Sequence, residues 1–262
     1  MALAGLTSSL APVLALGLIA GLLIGCIGIG GVVLVPVLHY ALGVPIHTAI
    51  GAAMMAYLVS GAIGTAVFGN KQSIRWSMAP WLWAGAMPGA LLGALAANRA
   101  PGTVLELAIG ALTVLSGLHA LRQPAPTAEA DGAATDAAMS RARLATVGAV
   151  TGFGSSLTGT GGPLVLIPIL LWLGVPVLTA IGLAQAIQLP IAATATLGNA
   201  AAGLLDPALG ALLGLGLAFG TWGGAHLAHV LPRAVLFRVV AGVLVVVGLS
   251  IMWRIGVRLA AA

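Results

Sequence analysis

One pattern occurs twice in this chain, and the rest has to fold around it: Gly-x-Gly-Gly, an apolar run holding a proline, Gly-Val-Pro, then Thr-Ala-Ile-Gly. The first copy passes through Gly28, Gly30, Gly31, Pro36, Gly43, Pro45, Thr48 and Gly51, and the second through Gly159, Gly161, Gly162, Pro168, Gly174, Pro176, Thr179 and Gly182. Gly174 follows Gly43 by 131 positions, half of the 262 residues. The same offset pairs Thr65/Thr196, Gly85/Gly216, Gly89/Gly220, Gly93/Gly224, Ala97/Ala228 and Pro101/Pro232, and Pro36/Pro168 miss it by one. A fixed register of distinctive glycines and prolines over so long a stretch marks a duplication. The expected units are residues 1–122 and 141–262, joined by a flexible Pro/Ala/Thr linker at 123–140 that carries Glu129, Asp131 and Asp136.

Each unit is apolar almost throughout. Hydrophobic residues make up 60% of the chain and charged ones 6%, against about 25% charged in soluble domains. Apolar stretches close to the roughly 20 residues that span a bilayer core recur along its length. Backbone in lipid must satisfy its own hydrogen bonds, so the expected fold is an all-α polytopic membrane protein. It has two homologous halves of about four transmembrane helices, each with a broken or re-entrant first helix, giving eight to ten segments. The ten Lys and Arg are scattered between apolar runs, as membrane-flanking bases are, so the net charge of +5 implies a lipid bilayer and no nucleic acid. One cysteine, Cys26, excludes an internal disulfide and a cysteine-based zinc site. The N-terminus has no basic residue before its apolar run, unlike a cleaved signal peptide. The Ala/Leu/Gly-rich composition suits a bacterial inner membrane.

The segments read as 11–27, 32–42, 46–68, 78–97 and 103–121, then 144–157, 163–173, 178–197, 207–229 and 234–253. The first two of each half form either one broken helix, which makes the halves parallel, or a hairpin, which makes them inverted. The positive-inside rule does not separate these. Lys71, Arg75, Arg122, Arg141 and Arg143 share a side in both. Arg254 and Arg258 join them in the parallel case, Arg233 and Arg238 in the inverted one. Precedent among transporters with discontinuous helices favours inverted halves related by a pseudo-two-fold axis.

The chemistry is expected at the glycine breaks. Glycine permits φ > 0 and weakens helix, and proline at a first helical position gives up an N–H that is unpaired anyway. Gly28, Gly30 and Gly31, and Thr158, Gly159, Thr160, Gly161 and Gly162 before Pro163, therefore read as unwound stretches ending at half-helix starts. Such a start offers free N–H groups and a positive dipole end, an anion site without formal charge. Ser155 and Ser156 add hydroxyls. The competing explanation is close helix packing through small residues. Gln185 and Gln188 share a helix face inside an apolar span and should line the central cavity or bond another helix. Their register partners in the first half are Met54 and Tyr57. Asn70 and Asn199 read as helix caps, Glu106, His226 and His229 as interfacial, and Gly85, Gly89, Gly93 with Gly216, Gly220, Gly224 as packing faces. No carboxylate sits deep in a span, and no Walker motif, HExxH or nucleophile–base pair is present. The chain reads as no enzyme, with no cofactor and no metal site.

At these residues the sequence resembles the TauE/SafE family of bacterial membrane transporters, the sulfite exporter or toluene-sulfonate uptake permease family. Gly28-x-Gly30-Gly31 with Pro36 and Gly43-x-Pro45, and their second-half counterparts, carry the resemblance, which covers essentially the whole chain. It implies secondary transport of small sulfur-containing anions, sulfite or organosulfonates such as sulfoacetate, by alternating access around a midplane site. A coupling ion, proton or sodium, and self-association into a homo-oligomer are both left open. An anion channel or a non-transporting scaffold subunit would use the same repeat. A cation exporter would need a buried carboxylate that the sequence does not offer.

Overall fold

A computed structural model describes residues 2–28, 30–122 and 139–230, and within the C-terminal segment residues 242, 245–246, 248–254 and 256–257. Residues 123–138 of the linker expected at 123–140, and the bases Arg233, Arg238 and Arg258, lie outside the described residues. The described chain is helical without strands: α1 Ala2–Ile27, α2 Gly31–Tyr40, α3 Ile46–Asn70, α4 Ala79–Arg99, α5 Gly102–Arg122, α6 Arg141–Thr158, α7 Pro163–Trp172, α8 Val177–Ala201 and α9 Pro207–Leu227. Within α1, α3, α4, α8 and α9 lie spans long and apolar enough to cross a membrane. The ten-residue α2 and α7 reach only about 15 Å, half a bilayer core.

The helix boundaries follow local chemistry. Pro45 and Pro176 sit at the N-caps of α3 and α8, so each Gly-Val-Pro closes a half-helix and opens a long one. Ser140 Oγ accepts from Arg143 N at the start of α6, and the Asp206 carboxylate accepts from Ala208 N and Leu209 N at the start of α9. The asparagine expectation fails. The C-caps of α3 and α8 are Lys71 and Ala202, and the Asn199 side chain is buried inside α8 with its Nδ2 unpartnered.

Small residues every fourth position decide the packing. A Cβ on Gly85, Gly89 or Gly93 of α4 would run into the backbone of α6 at Ala145, Ala149 and Phe153 in turn, so the two helices run parallel in near-contact. Gly17, Gly21 and Gly25 of α1 meet α9 at Leu213, Leu217 and Thr221, again in ascending order. Without a hydrophobic drive between helices in lipid, such close approach is what van der Waals packing rewards. Met55 and Val59 of α3 meet Gly210 and Gly214 of α9, also parallel, whereas Gly61 and Gly64 of α3 face Leu189 and Gln185 of α8, so α3 and α8 are antiparallel.

The same contacts settle the path at each break. Gly30 lies against Ala20, Leu23 and Ile24, so the chain doubles back along α1. The α2 helix then descends from the middle of α3 to its start. Likewise Gly154 lies beside Val165, and α7 runs from the middle of α8 at Gly162, Ile187 and Ile191 back towards its start. Each half therefore opens with a hairpin, not with one broken helix. The helices α1 to α4 run opposite to α6 to α9, element by element. Lys71, Arg75, Arg141 and Arg143, on the α3–α4 loop and the start of α6, gather at one end of the bundle, with Arg99 at the other.

Gly21→Val tests the packing. Its Cβ would lie 2.7 Å from Leu217 O and 2.9 Å from Leu217 Cα. Overpacking costs about 1–3 kcal/mol, and backbone against backbone cannot yield, so a loss at the top of that range is expected in detergent thermal unfolding. Gly223→Ala, with nothing within 4 Å of the new Cβ, should melt no lower than the parent.

Candidate anion site

Both glycine stretches are unwound and both are buried. Helix α1 ends at Ile27, Gly28 takes φ +79°, and α2 resumes at Gly31. The second break is longer: Gly159, Gly161 and Gly162 have φ +71°, +82° and +116° before Pro163 opens α7. The first break is shorter than the sequence suggests because Gly30 is already right-handed, at φ −67°.

The breaks meet. A Cβ at Gly28 would lie 2.6 Å from Ile167 and 3.0 Å from Pro163 of α7, while one at Gly159 would lie 2.8 Å from Val35 of α2. Between them stands the fully buried Tyr57 of α3, whose hydroxyl donates towards Gly31 O at 3.0 Å and Gly159 O at 3.2 Å. Its ring fills the space beside Gly161. Sequence reasoning named Tyr57 only as the register partner of Gln188. Its clue was a polar hydroxyl at that position in an apolar helix.

The half-helix starts keep free donors. The N–H groups of Gly31 and Val32, and of Gly161, Gly162 and Leu164, have no acceptor among the described residues. Ser155 and Ser156, in the last turn before the second break, are fully buried with unpartnered hydroxyls, as is Thr151 one turn earlier. Thr158 donates to Gly154 O at 2.7 Å and meets Thr160 at 3.1 Å.

Gln185 and Gln188, 0% and 1% exposed, face protein and not lipid. Gln185 donates to Ile24 O at 2.7 Å, in the last turn before Gly28, and Gln188 donates to Ser60 Oγ at 2.8 Å. Each keeps its Oε1 buried without a partner. The Cα of Gln188 lies beside Gly162, so the two amides reach from the second break to the end of α1. Of the bases whose side chains are described, none is buried: Lys71, Arg99, Arg141, Arg143 and Arg254 are exposed and Arg75 is half-exposed.

Tyr57→Phe removes the donor shared by Gly31 O and Gly159 O. Two buried carbonyls then lose a partner, worth about 1–3 kcal/mol. The variant should fold and unfold at lower temperature in detergent.

Helices that cross a membrane, with two half-length helices turned back inside them, define a multi-pass helical membrane protein. Comparison with known families matches residues 13–251 to Sulfite exporter TauE/SafE, and the chain belongs to that family. It is accordingly a membrane transporter of the sulfite-exporter type. Neither the curated proteins nor the solved structures give a match.

Proposed function

We propose that the chain is a secondary transporter for small sulfur-containing anions, sulfite or organosulfonates such as sulfoacetate, in a bacterial inner membrane. The substrate binds between Gly28–Gly31 and Thr158–Gly162, with Gln185 and Gln188 alongside. One observation carries this reading: two buried helix breaks touch, and N–H groups and hydroxyls unpartnered among the described residues surround them, with no buried base among the side chains described. Buried donors without acceptors are costly, and an oxyanion satisfies several at once. Two helix starts each offer roughly half a positive charge.

The opposed directions of α1–α4 and α6–α9 support an inverted repeat, in which alternating access is motion of one half against the other around the site. Lipid-depth irregular backbone belongs where it lines such a cavity. The test is thermal shift of the purified protein against sulfite, sulfate, thiosulfate, sulfoacetate and taurine, followed by counterflow in proteoliposomes. A ligand of the folded state at 100 times its Kd adds about 2.7 kcal/mol. Stabilisation by one or more of the anions, with saturable counterflow, is the expected result. No stabilisation by any of them rejects the substrate class, and flux without saturation or counterflow indicates a channel.

A further inference from the structure

A second buried polar cluster lies at the far end of α2. Glu106 of α5 reads from sequence as interfacial, yet it is 7% exposed, in a setting otherwise lined by Val35, Pro36, Ile46, Ile109 and Ile251. Tyr40 donates to its Oε2 at 2.8 Å, and His39 Nε2 stands 3.3 Å from its Oε1. His39 Nδ1 is 2.8 Å from Val44 O. A carbonyl only accepts, so Nδ1 must carry a hydrogen. In the neutral ring Nε2 then presents a lone pair to a carboxylate oxygen, which is no bond. The contact needs one further proton, either on Nε2 beside ionised Glu106 or on Oε1 beside neutral His39.

Among the described residues, the other titratable or charged groups here are Tyr40 and, from the C-terminal segment, Arg254, whose guanidinium lies 5.2 Å from the Tyr40 ring centre. From α3, His47 is turned to Ala100 O at 3.1 Å. Tyr40 and Glu106 have further partners besides. The cluster therefore joins α2 to α5 through two contacts on Glu106: the bond from Tyr40 stands in either state, and the one to His39 exists only with the added proton. Histidine is the side chain whose charge ordinarily changes near neutral pH.

We propose that the His39–Glu106 pair is the proton-binding site of this transporter, taking up one proton from water at its end of the bundle and coupling it to the position of α2. This rests on the reading of the start of α2 as half of the anion site. His39 and Gly31 are eight residues apart on one half-helix, about 12 Å. Release of the proton leaves a lone pair facing a carboxylate, so the His39 link opens, Tyr40 alone of the pair still holds Glu106, and this looser hold lets α2 carry Gly31 relative to the second break. Both the anion and the proton thus act on the same ten-residue element.

The test uses the whole protein in proteoliposomes, with an alkyl sulfonate gradient and a pH-sensitive dye in the lumen. Parent protein should move protons together with sulfonate. In Glu106→Gln the new amide donates to neutral His39 without an added proton, so sulfonate counterflow should persist while proton movement falls to the level of empty vesicles. Equal proton movement in parent and Glu106→Gln, or sulfonate transport by the parent without proton movement, overturns the proposal. A second measurement needs no substrate: melting of His39→Phe, Glu106→Leu and the double variant in detergent at about pH 6 and about pH 9. Their effects should be non-additive at the lower pH and close to additive at the higher. Identical coupling at both pH values overturns the pair as a proton site. If the parent moves no sulfonate at all, the anion reading fails and this second measurement alone decides the proton site.

Discussion

Gly161→Val and Gly162→Val are each expected to abolish anion binding in a protein that remains folded. Both positions have φ values open to glycine and strained for other residues, +82° and +116°. Holding a residue there costs about 1–3 kcal/mol, and a β-branched side chain is the worst case. A Cβ on Gly161 would also lie 2.9 Å from the Tyr57 ring, and one on Gly162 3.2 Å from Ile191 Cδ1. The backbone relieves this by rotating, which turns the N–H groups of Gly161, Gly162 and Leu164 away from the anion. No charge changes. Affinity should fall at least about 100-fold, or about 2.7 kcal/mol, read by ligand-dependent melting with size-exclusion chromatography as the check on folding. A folded variant that binds sulfite or sulfoacetate within about threefold of the parent would place the site elsewhere.

The second large effect is expected from Gln185→Leu and Gln188→Leu combined. Each amide donates into the first half, to Ile24 O or to Ser60 Oγ, while its oxygen is buried without a partner. Leucine removes two donors and also two unpaired acceptors, so the net change in stability should stay within about 1–3 kcal/mol. Transport should respond far more strongly. A glutamine carries two N–H donors on one rotatable amide, and turning it hands a donor from Ile24 or Ser60 to an arriving oxyanion. We expect uptake to fall at least tenfold with thermal unfolding only slightly altered. Unchanged uptake would mean that the amides merely brace α8 against α1 and α3.

Much of the frame could be read from residues alone because its determinants are local. Gly-Val-Pro ends a half-helix wherever it stands, and Gly159-Thr160-Gly161-Gly162-Pro163 cannot continue α6. The packing faces at Gly85, Gly89, Gly93 and Gly216, Gly220, Gly224 were visible as a spacing of four. Their partners are Gly17, Gly21 and Gly25, and Gly148 and Gly152. They show the same spacing, but only assembly tells which face meets which. The hairpin was out of reach because both candidate paths left the bases divided seven to three. Tyr57 was missed because its meaning lies in carbonyls 26 and 102 residues away. Glu106 was assigned to the membrane edge by its place early in α5. What buries it is α2 and the C-terminal segment, which its sequence neighbours do not disclose.

The glycine face of α1 also has a consequence in time. Its counterpart on α9, from Leu213 to Ala225, lies some 200 residues downstream, so α1 enters the membrane before its partner has been synthesised. At about 5–20 residues per second, that wait is roughly 10–40 seconds. The face of α4 that receives α6 waits far less, since Gly85 and Ala145 are 60 residues apart. The nascent chain therefore closes its inner helix pair first and its outer pair last. For most of its synthesis the glycine face of the first helix meets lipid, with only α2 and α3 beside that helix.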